Sequence, residues 1–160
     1  MEGQEAKIRE AALLLLARRE HSQQELLKKL ERKAFPADLI ILELKKLAVE
    51  RLQSDQRFTE AYVHDWMQAG YGPRQIEQAL LQRGVESNQI QQALEFGDEC
   101  WEDLIRSVWT KKFGTKKKNS AETTQDYGRH YRFLSYRGFQ PQSIQRFLRG
   151  VFNNKVNDEY

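Results

Sequence analysis

The apolar pattern of this sequence repeats itself at an interval of 50 residues, and this repeat restricts the possible folds more than any other feature. The matched positions run in one register without a gap, and almost all of them are apolar or aromatic in both copies. They are Ile8 with Phe58, Ala12 with Tyr62, Leu16 with Trp66, His21 with Tyr71, Leu26 with Ile76, Leu30 with Leu80, Ile40 with Ile90 and Leu44 with Leu94. Eight such pairs indicate two copies of one structural unit.

A second offset, of 68 residues, extends the repeat into the last third of the chain. It pairs Trp66 with Leu134, Gly70 with Gly138, Tyr71 with Phe139, Ile76 with Ile144 and Leu80 with Leu148. Two equivalent motifs follow, the first joint and the second joint: Ala69-Gly70-Tyr71-Gly72-Pro73 and Arg137-Gly138-Phe139-Gln140-Pro141. In each joint a glycine can end a helix with positive φ, an aromatic residue packs behind it, and a proline opens the next helix.

Apolar residues within each unit follow the spacing of a helix. Ile8, Ala12 and Leu15 share one helical face. Ser22 stands three residues before Glu25, which is the spacing of a capping box, and Pro36 suits the first turn of a third helix. Because no segment alternates strictly between apolar and polar residues, the sequence predicts an all-α fold.

We predict three tandem three-helix repeats, at residues 1–52, 53–98 and 99–160, with about nine helices in all. The third repeat is irregular, because it has an additional helix from about Glu99 to Phe113 and a loop from Gly114 to Ser120. A unit of about 50 residues has a thin core and gains stability by stacking on its neighbours. We therefore expect an elongated, curved array with an extended face, which is typical of a binding protein.

The sequence shows no convergent set of catalytic residues. His64 and Asp65 are adjacent on a predicted helix, where neighbours point in different directions, and the other histidines lie in separate repeats. The sequence contains neither a Walker-type Gly-Lys-Ser/Thr loop nor the glycine fingerprint of a Rossmann fold. We expect no catalytic residue, no metal site and no cofactor, and we expect the single cysteine, Cys100, to be a small buried residue.

The number of cysteines and the distribution of apolar residues predict the cellular compartment and the oligomeric state. One cysteine excludes an intramolecular disulfide, and the longest apolar run, Ala11 to Ala17, is far shorter than the roughly 20 residues of a membrane span. We expect a cytoplasmic protein that does not enter the membrane. Since no unmatched apolar stripe requires a second copy, we also expect a monomer.

The net charge of +3 is the sum of two unlike parts. Residues 1–100 hold 14 Lys and Arg against 17 Asp and Glu, whereas residues 101–160 hold 12 against 6. This asymmetry indicates an acidic polymer as partner, nucleic acid before membrane, although a solvated basic surface gives the same pattern. The candidate residues for binding nucleic acid are Lys111, Lys112, Lys116, Lys117, Lys118, Arg129, Arg132, Arg137, Arg146, Arg149, Arg74 and Arg83.

Aromatic residues accompany the bases, since 10 of the 17 in the chain lie within residues 101–152. Four apolar residues of this stretch coincide with repeat positions or their neighbours, and we expect them in the core: Phe133, Leu134, Phe139 and Phe147. The role of Tyr127, Tyr131 and Tyr136 stays open between packing and the stacking of bases.

Four segments of the chain resemble, in the right order, the motifs of the RecX regulatory family. They are His21–Leu30, Ser54–Tyr62, Gly70–Val85 and Arg132–Phe139, and the resemblance covers about residues 8–152. The chain departs from the family pattern at residues 66–69, where relatives usually carry Arg and Lys, so the middle repeat is less basic than expected. Ser54 stands where Asp or Asn is common.

The resemblance implies a regulator of the RecA recombinase that is built of tandem three-helix units. Members of this family bind the groove of the RecA–single-stranded-DNA filament and suppress strand exchange, ATP hydrolysis and coprotease activity in DNA repair, recombination and the SOS response. They have no catalytic residues of their own. We expect the third repeat, including Lys116, Lys117 and Lys118, to face single-stranded DNA and the first two repeats to face mainly RecA.

Two alternatives remain at this point. The first is a free-standing DNA-binding protein that uses its units like helix-turn-helix modules, with the predicted helix Pro73–Arg83 reading duplex DNA. The second is an α-solenoid scaffold for an unrelated protein, which would leave the basic third unexplained. Duplex DNA would be bound tightly under the first alternative and only weakly by a RecX-like protein.

Overall fold

All regular structure is helical over the residues that the computed structural model describes, 2–114 and 124–157. Nine helices lie within these ranges: α1 Glu2–Arg18, α2 Gln23–Glu31, α3 Ala37–Val49, α4 Asp55–Gln68, α5 Pro73–Gln82, α6 Ser87–Ala93, α7 Asp98–Phe113, α8 Thr124–Tyr136 and α9 Pro141–Asn157. The all-α prediction and the succession of three-helix repeats are therefore confirmed. Most of the loop predicted after Gly114 lies outside the described residues.

Helix starts in the first repeat follow from local chemistry. The Glu25 backbone N–H donates to Ser22 Oγ at 3.1 Å, and the Ser22 backbone N–H donates to Glu25 Oε1 at 3.2 Å, which completes the predicted capping box. The prediction for Pro36 was wrong by one position. Pro36 is the N-cap of α3, with an extended ψ of 134°, and its carbonyl accepts from the backbone N–H of Ile40 at 3.1 Å.

Most positions matched by the repeat form the core, whereas Leu16, Tyr62, Trp66 and Tyr71 are half-buried. In the first repeat, six matched residues are buried on the inner faces of α1, α2 and α3. They are Ile8, Ala12, Leu26, Leu30, Ile40 and Leu44. Their counterparts Phe58, Ile76, Leu80, Ile90 and Leu94 are buried as well. Burying a large apolar side chain contributes about 1.5–3 kcal/mol, so these positions account for the persistence of the pattern.

Backbone contacts divide the chain into two compact units. The first comprises Met1–Val63 and Ala79–Ala93, and the second comprises His64–Gln78 and Leu94–Tyr160. The division runs through α4 and α5, so the middle repeat contributes residues to both units. Within the second unit, α7, α8 and α9 contact one another and bury Trp101, Ile105, Leu134, Ile144 and Leu148.

Two expectations about burial in the second unit were wrong. Cys100 is exposed, because the neighbouring Trp101 takes the inward position in the first turn of α7. Phe133 is only half-buried, because the next residue, Leu134, takes the inward position on α8. Successive residues on a helix point about 100° apart, so one of each pair faces away from the core.

The remaining aromatic residues predicted for the core are buried, and the three tyrosines differ. Phe139 and Phe147 are buried with Leu134. Tyr127 is half-buried and contacts the ring edge of Phe152, with a centroid distance of 5.3 Å. Tyr131 is also half-buried, whereas 78% of Tyr136 is exposed.

Candidate nucleic-acid interface

The two joints contact each other directly within the second compact unit. The Gly72 backbone N–H donates to the Arg137 carbonyl at 2.7 Å, and the Arg74 backbone N–H donates to the Gly138 carbonyl at 2.9 Å. The Gln75 side chain adds a third hydrogen bond, from Nε2 to the Tyr136 carbonyl at 3.0 Å. The sequence identified the joints as equivalent motifs but did not predict that they pair.

Glycine is required at this pairing for two reasons. Gly138 has a φ of 96°, and its counterpart Gly70 has a φ of 92°, the positive values that the sequence predicts at both helix ends. Gly72 serves close approach instead, since a Cβ placed on it would lie 2.6 Å from the carbonyl carbon of Gly138. The two backbones can approach this closely only because neither glycine carries a side chain.

Arg137 is fixed at the pairing by its surroundings. Its Nη1 donates to the Ala69 carbonyl at 3.2 Å, and its guanidinium carbon lies 5.3 Å from the ring centroid of Tyr71 and 5.4 Å from that of Phe133. Both rings are within the range of cation–π attraction. The guanidinium is thus held in place by one carbonyl and two aromatic rings.

A groove of about 270 Å³ opens beside this guanidinium, and we call it the basic groove. It is lined by Gln68, Ala69, Gly70, Leu104, Ser107, Val108, Lys111, Lys112, Phe133 and Arg137. Lys111 and Lys112 are exposed in the last turn of α7, and the Lys112 ammonium lies 5.7 Å from the Phe133 ring centroid. None of the described lining residues is acidic, so the groove combines three cations with an apolar floor.

The other candidate bases of the second unit lie outside this groove. Arg146 donates to Glu102 Oε1 at 2.8 Å and lies 3.8 Å from Asp98 Oδ2. The Glu102 hydrogen bond raises the pKa of Arg146 above its ordinary value and offsets its charge. Arg129 lies 3.7 Å from Asp126, whereas Arg132, Arg149 and Arg74 are exposed. Lys116, Lys117 and Lys118 lie outside the described residues.

Arg83 belongs to the first compact unit, where its side chain bridges two segments. It donates from Nη1 to the Ala79 carbonyl at 2.9 Å, its Nε lies 3.7 Å from Glu25 Oε2, and its guanidinium lies 4.9 Å from the Tyr62 ring centroid. These contacts are local to the first unit, so Arg83 does not belong to the basic groove.

Sequence reasoning missed a buried polar cluster in the first unit. Ser22 Oγ donates to the Arg83 carbonyl at 2.8 Å. The Gln53 amide donates to the His21 carbonyl at 3.1 Å and to Asp55 Oδ1 at 2.9 Å. Only the capping spacing at Ser22 was visible in the sequence, because a buried glutamine leaves no pattern of its own. The cluster ties the α1–α2 turn to two segments distant in sequence.

His21 lies in this cluster with 1% of its surface exposed. Its Nδ1 lies 3.0 Å from the Arg19 carbonyl oxygen, which can only accept, so Nδ1 carries a proton. Its Nε2 accepts from the Lys29 ammonium at 2.9 Å. Burial is the main cause that lowers the pKa of His21, and the charges of Arg19 and Lys29 act in the same direction.

We expect the free energy of unfolding to fall as the pH drops from about 7 to 5. The unfolded chain protonates His21 near its ordinary pKa of about 6.5, whereas the folded chain resists protonation to lower pH, so the unfolded state binds more protons in between. Urea unfolding at several pH values measures this slope. The variant His21→Asn, which keeps a donor for the Arg19 carbonyl, should have a shallower slope. Identical slopes for the parent and His21→Asn would contradict the prediction.

Two features are absent from the described part of the chain. No helix there is long and apolar enough to cross a membrane. No three or more His, Cys, Asp or Glu side chains lie together in a way that could hold a metal ion.

Comparison with known proteins assigns this architecture of three-helix repeats to a family. Three family models match in order: the first RecX three-helix domain at residues 9–47, the second at 54–94 and the third at 101–148. The regulatory protein RecX of Ectopseudomonas mendocina (strain ymp) is 41% identical over 143 residues, which are 89% of this chain and 93% of that protein. The regulatory protein RecX of Pseudomonas entomophila (strain L48) is 37% identical over 143 residues, 89% and 90% of the two chains.

Solved structures show the same fold. The crystal structure of RecX from Lactobacillus salivarius has a TM-score of 0.82 at 22% identity and covers 94% of this chain and 98% of that one. A second crystal structure of a regulatory protein RecX has a TM-score of 0.77 at 24% identity, over 90% of this chain and 71% of the other. The chain is thus an all-α protein of tandem three-helix repeats. It belongs to the RecX family of regulatory proteins.

Proposed function

We propose that this protein binds the RecA–single-stranded-DNA filament and negatively modulates recombinase activity in DNA repair, recombination and the SOS response. The observation that carries the proposal is the match of all three RecX domain models, in order, to residues 9–47, 54–94 and 101–148. The relatives are named regulatory proteins, which accords with a regulator that lacks catalytic residues and cofactors. The protein acts as a monomer in the cytoplasm.

The filament presents both protein and DNA phosphates, and charge is distributed along the sequence of this chain in a way that suits both surfaces. The acidic residues are concentrated in the first 100 positions, and these contact mainly RecA. The third repeat contacts the DNA, and its convergent cations Lys111, Lys112 and Arg137 support this assignment. Lys116, Lys117 and Lys118 belong to the same basic stretch of sequence and extend the DNA contact.

Co-sedimentation with RecA tests the proposal. RecA is assembled on single-stranded DNA with a nonhydrolysed nucleotide, and retention of the protein is compared with retention on naked single-stranded and naked duplex DNA. RecA-dependent ATP hydrolysis is measured in parallel with a hydrolysable nucleotide. We expect preferential retention on the filament and a fall in hydrolysis as the protein is added. Equal retention on filament and naked DNA, with hydrolysis unchanged, would refute the proposal.

The helix-turn-helix alternative is not favoured by the surroundings of α5. A recognition helix places its amino-terminal residues against base edges in the major groove. In this chain the amino end of α5 packs on the second joint, where the Arg74 backbone N–H and the Gln75 side chain bond the carbonyls of Gly138 and Tyr136. The duplex arm of the same experiment decides between the two functions, because only the alternative predicts tight binding to naked duplex.

A further inference from the structure

We infer that the basic groove is a phosphodiester-binding subsite for single-stranded DNA, in which Arg137 is a pre-positioned phosphate ligand and Phe133 and Tyr136 receive an adjacent base. This inference rests on the proposed function, since it specifies which surface of a RecX protein contacts the DNA strand. The residues of the proposed subsite line the basic groove or lie on the neighbouring face of α8, and all of them belong to the second compact unit.

Charge is the first argument for an anionic occupant. Lys111, Lys112 and Arg137 line one groove together, and none of the described residues around them is a carboxylate. Like charges brought together repel each other unless an opposite charge lies between them. Elsewhere in the same unit an exposed cation is paired with an acidic side chain of the same chain, as Arg146 is with Glu102. Among the residues that the structure describes, the groove therefore supplies cations with no lining acid to neutralise them.

The setting of Arg137 is the second argument. A guanidinium is planar, and its several N–H groups match phosphate geometry better than a lysine ammonium does. One of these groups donates to the Ala69 carbonyl, and the rings of Tyr71 and Phe133 hold the plane in place. Little side-chain entropy is then lost when a phosphate binds, because the ordering has occurred during folding. Arg137 is thus suited to hold one phosphate in a defined position.

Aromatic residues distinguish a nucleic acid from an acidic peptide. Phe133 lines the groove, with Lys112 and Arg137 near its ring. Tyr136 lies three residues further along α8, which places it next to Phe133 on the helix surface, and 78% of it is exposed. Cations that bind the backbone beside aromatic rings that stack bases are the combination used by single-strand-binding proteins. An acidic peptide would bind the cations but would make no use of the exposed Tyr136 ring.

Direct binding to a labelled oligo-dT, measured by fluorescence anisotropy over a range of salt concentrations, tests the subsite. The Lys111→Gln/Lys112→Gln variant should bind on the order of 10-fold more weakly at low salt, and its salt slope should fall by about 1.4, because each lost phosphate contact removes about 0.7. Glutamine keeps the helix propensity of α7, and thermal unfolding checks that the fold is intact. The matched control is Lys7→Gln/Lys45→Gln, which makes the same charge change at exposed positions of the first unit and should bind like the parent.

Two further variants test the guanidinium geometry of Arg137 and the base stacking on Tyr136 without changing the net charge. Arg137→Lys keeps the charge but loses the planar fork, so affinity should fall while the salt slope stays the same. Tyr136→Ala should weaken binding at least about 5-fold, also without a change in slope, because base stacking is independent of salt-dependent counterion release. A uniform loss of net charge could not produce either result.

The outcomes distinguish the subsite from the proposed function. Parental affinity and slope in Lys111→Gln/Lys112→Gln, or no binding of oligo-dT by the parent at low salt, would overturn the subsite. Stronger competition by poly-glutamate than by unlabelled oligo-dT of equal charge would assign the groove to an acidic peptide and overturn it as well. If the parent binds oligo-dT through the groove but is not retained on RecA filaments, the proposed function fails and the subsite stands.

Discussion

Replacing Gly138 by alanine is expected to lower the free energy of unfolding by roughly 2–5 kcal/mol. Two costs add at this position. A residue with a Cβ at a φ of 96° is strained by about 1–2 kcal/mol. The new Cβ would also lie 2.5 Å from the Gln75 backbone nitrogen, which forces the joints apart at an overpacking cost of about 1–3 kcal/mol.

Urea or thermal unfolding measures this loss, and the chain offers a matched control. Gly150 lies in α9, in the same compact unit, and a Cβ placed on it would meet no heavy atom within 4 Å. Gly150→Ala is expected to leave stability unchanged or to raise it by about 0.5–1 kcal/mol, because alanine has the higher helix propensity. Equal effects of the two substitutions would show that the joint contact does not form as described.

Truncating Phe139 to alanine is expected to cost about 3–5 kcal/mol, the usual range for a fully buried phenylalanine. Only 1% of Phe139 is exposed, so the cavity would be left inside the core of the second unit. Its repeat counterpart Tyr71 is half-buried and lies at a centroid distance of 4.7 Å from Trp66. Tyr71→Ala should therefore cost at least about 1 kcal/mol less.

The comparison of these two variants by urea unfolding tests whether the joints are energetically equivalent. Both substitutions remove an aromatic ring from the same position of the repeat, so sequence alone predicts the same loss. The structure predicts unequal losses because Phe139 is fully buried whereas Tyr71 is half-buried. A loss at Tyr71 as large as that at Phe139 would contradict this account of burial.

Periodicity in the sequence was sufficient to predict the helices and most of the core. Ile8 on α1, and Leu26 and Leu30 on α2, are buried because a helix with apolar residues at helical spacing has one face that must leave water. The errors at Phe133 and Cys100 have one cause. Each adjoins a second large apolar residue, Leu134 and Trp101, and composition alone does not say which member of such a pair faces inward.

The candidate site was predictable only in part. Lys111, Lys112 and Arg137 were identified from the excess of positive charge, but their convergence depends on the packing of α7 against α8 and on the contact between the joints. The Ala69 carbonyl, which positions Arg137, carries no chemical signature in the sequence. Contacts between residues 68 positions apart arise from tertiary packing, and no local pattern records them.

Pairing of the two joints has a consequence for how this chain can change by mutation. The equivalent motifs of the middle and last repeats contact each other, so a substitution in one alters the environment of the other. Adjacent sites that share one contact show strongly non-additive effects, and once the contact is broken at Gly72, a second break at Gly138 should cost less than it does alone. The duplicated motifs therefore constitute a single thermodynamic unit, although they are far apart along the chain.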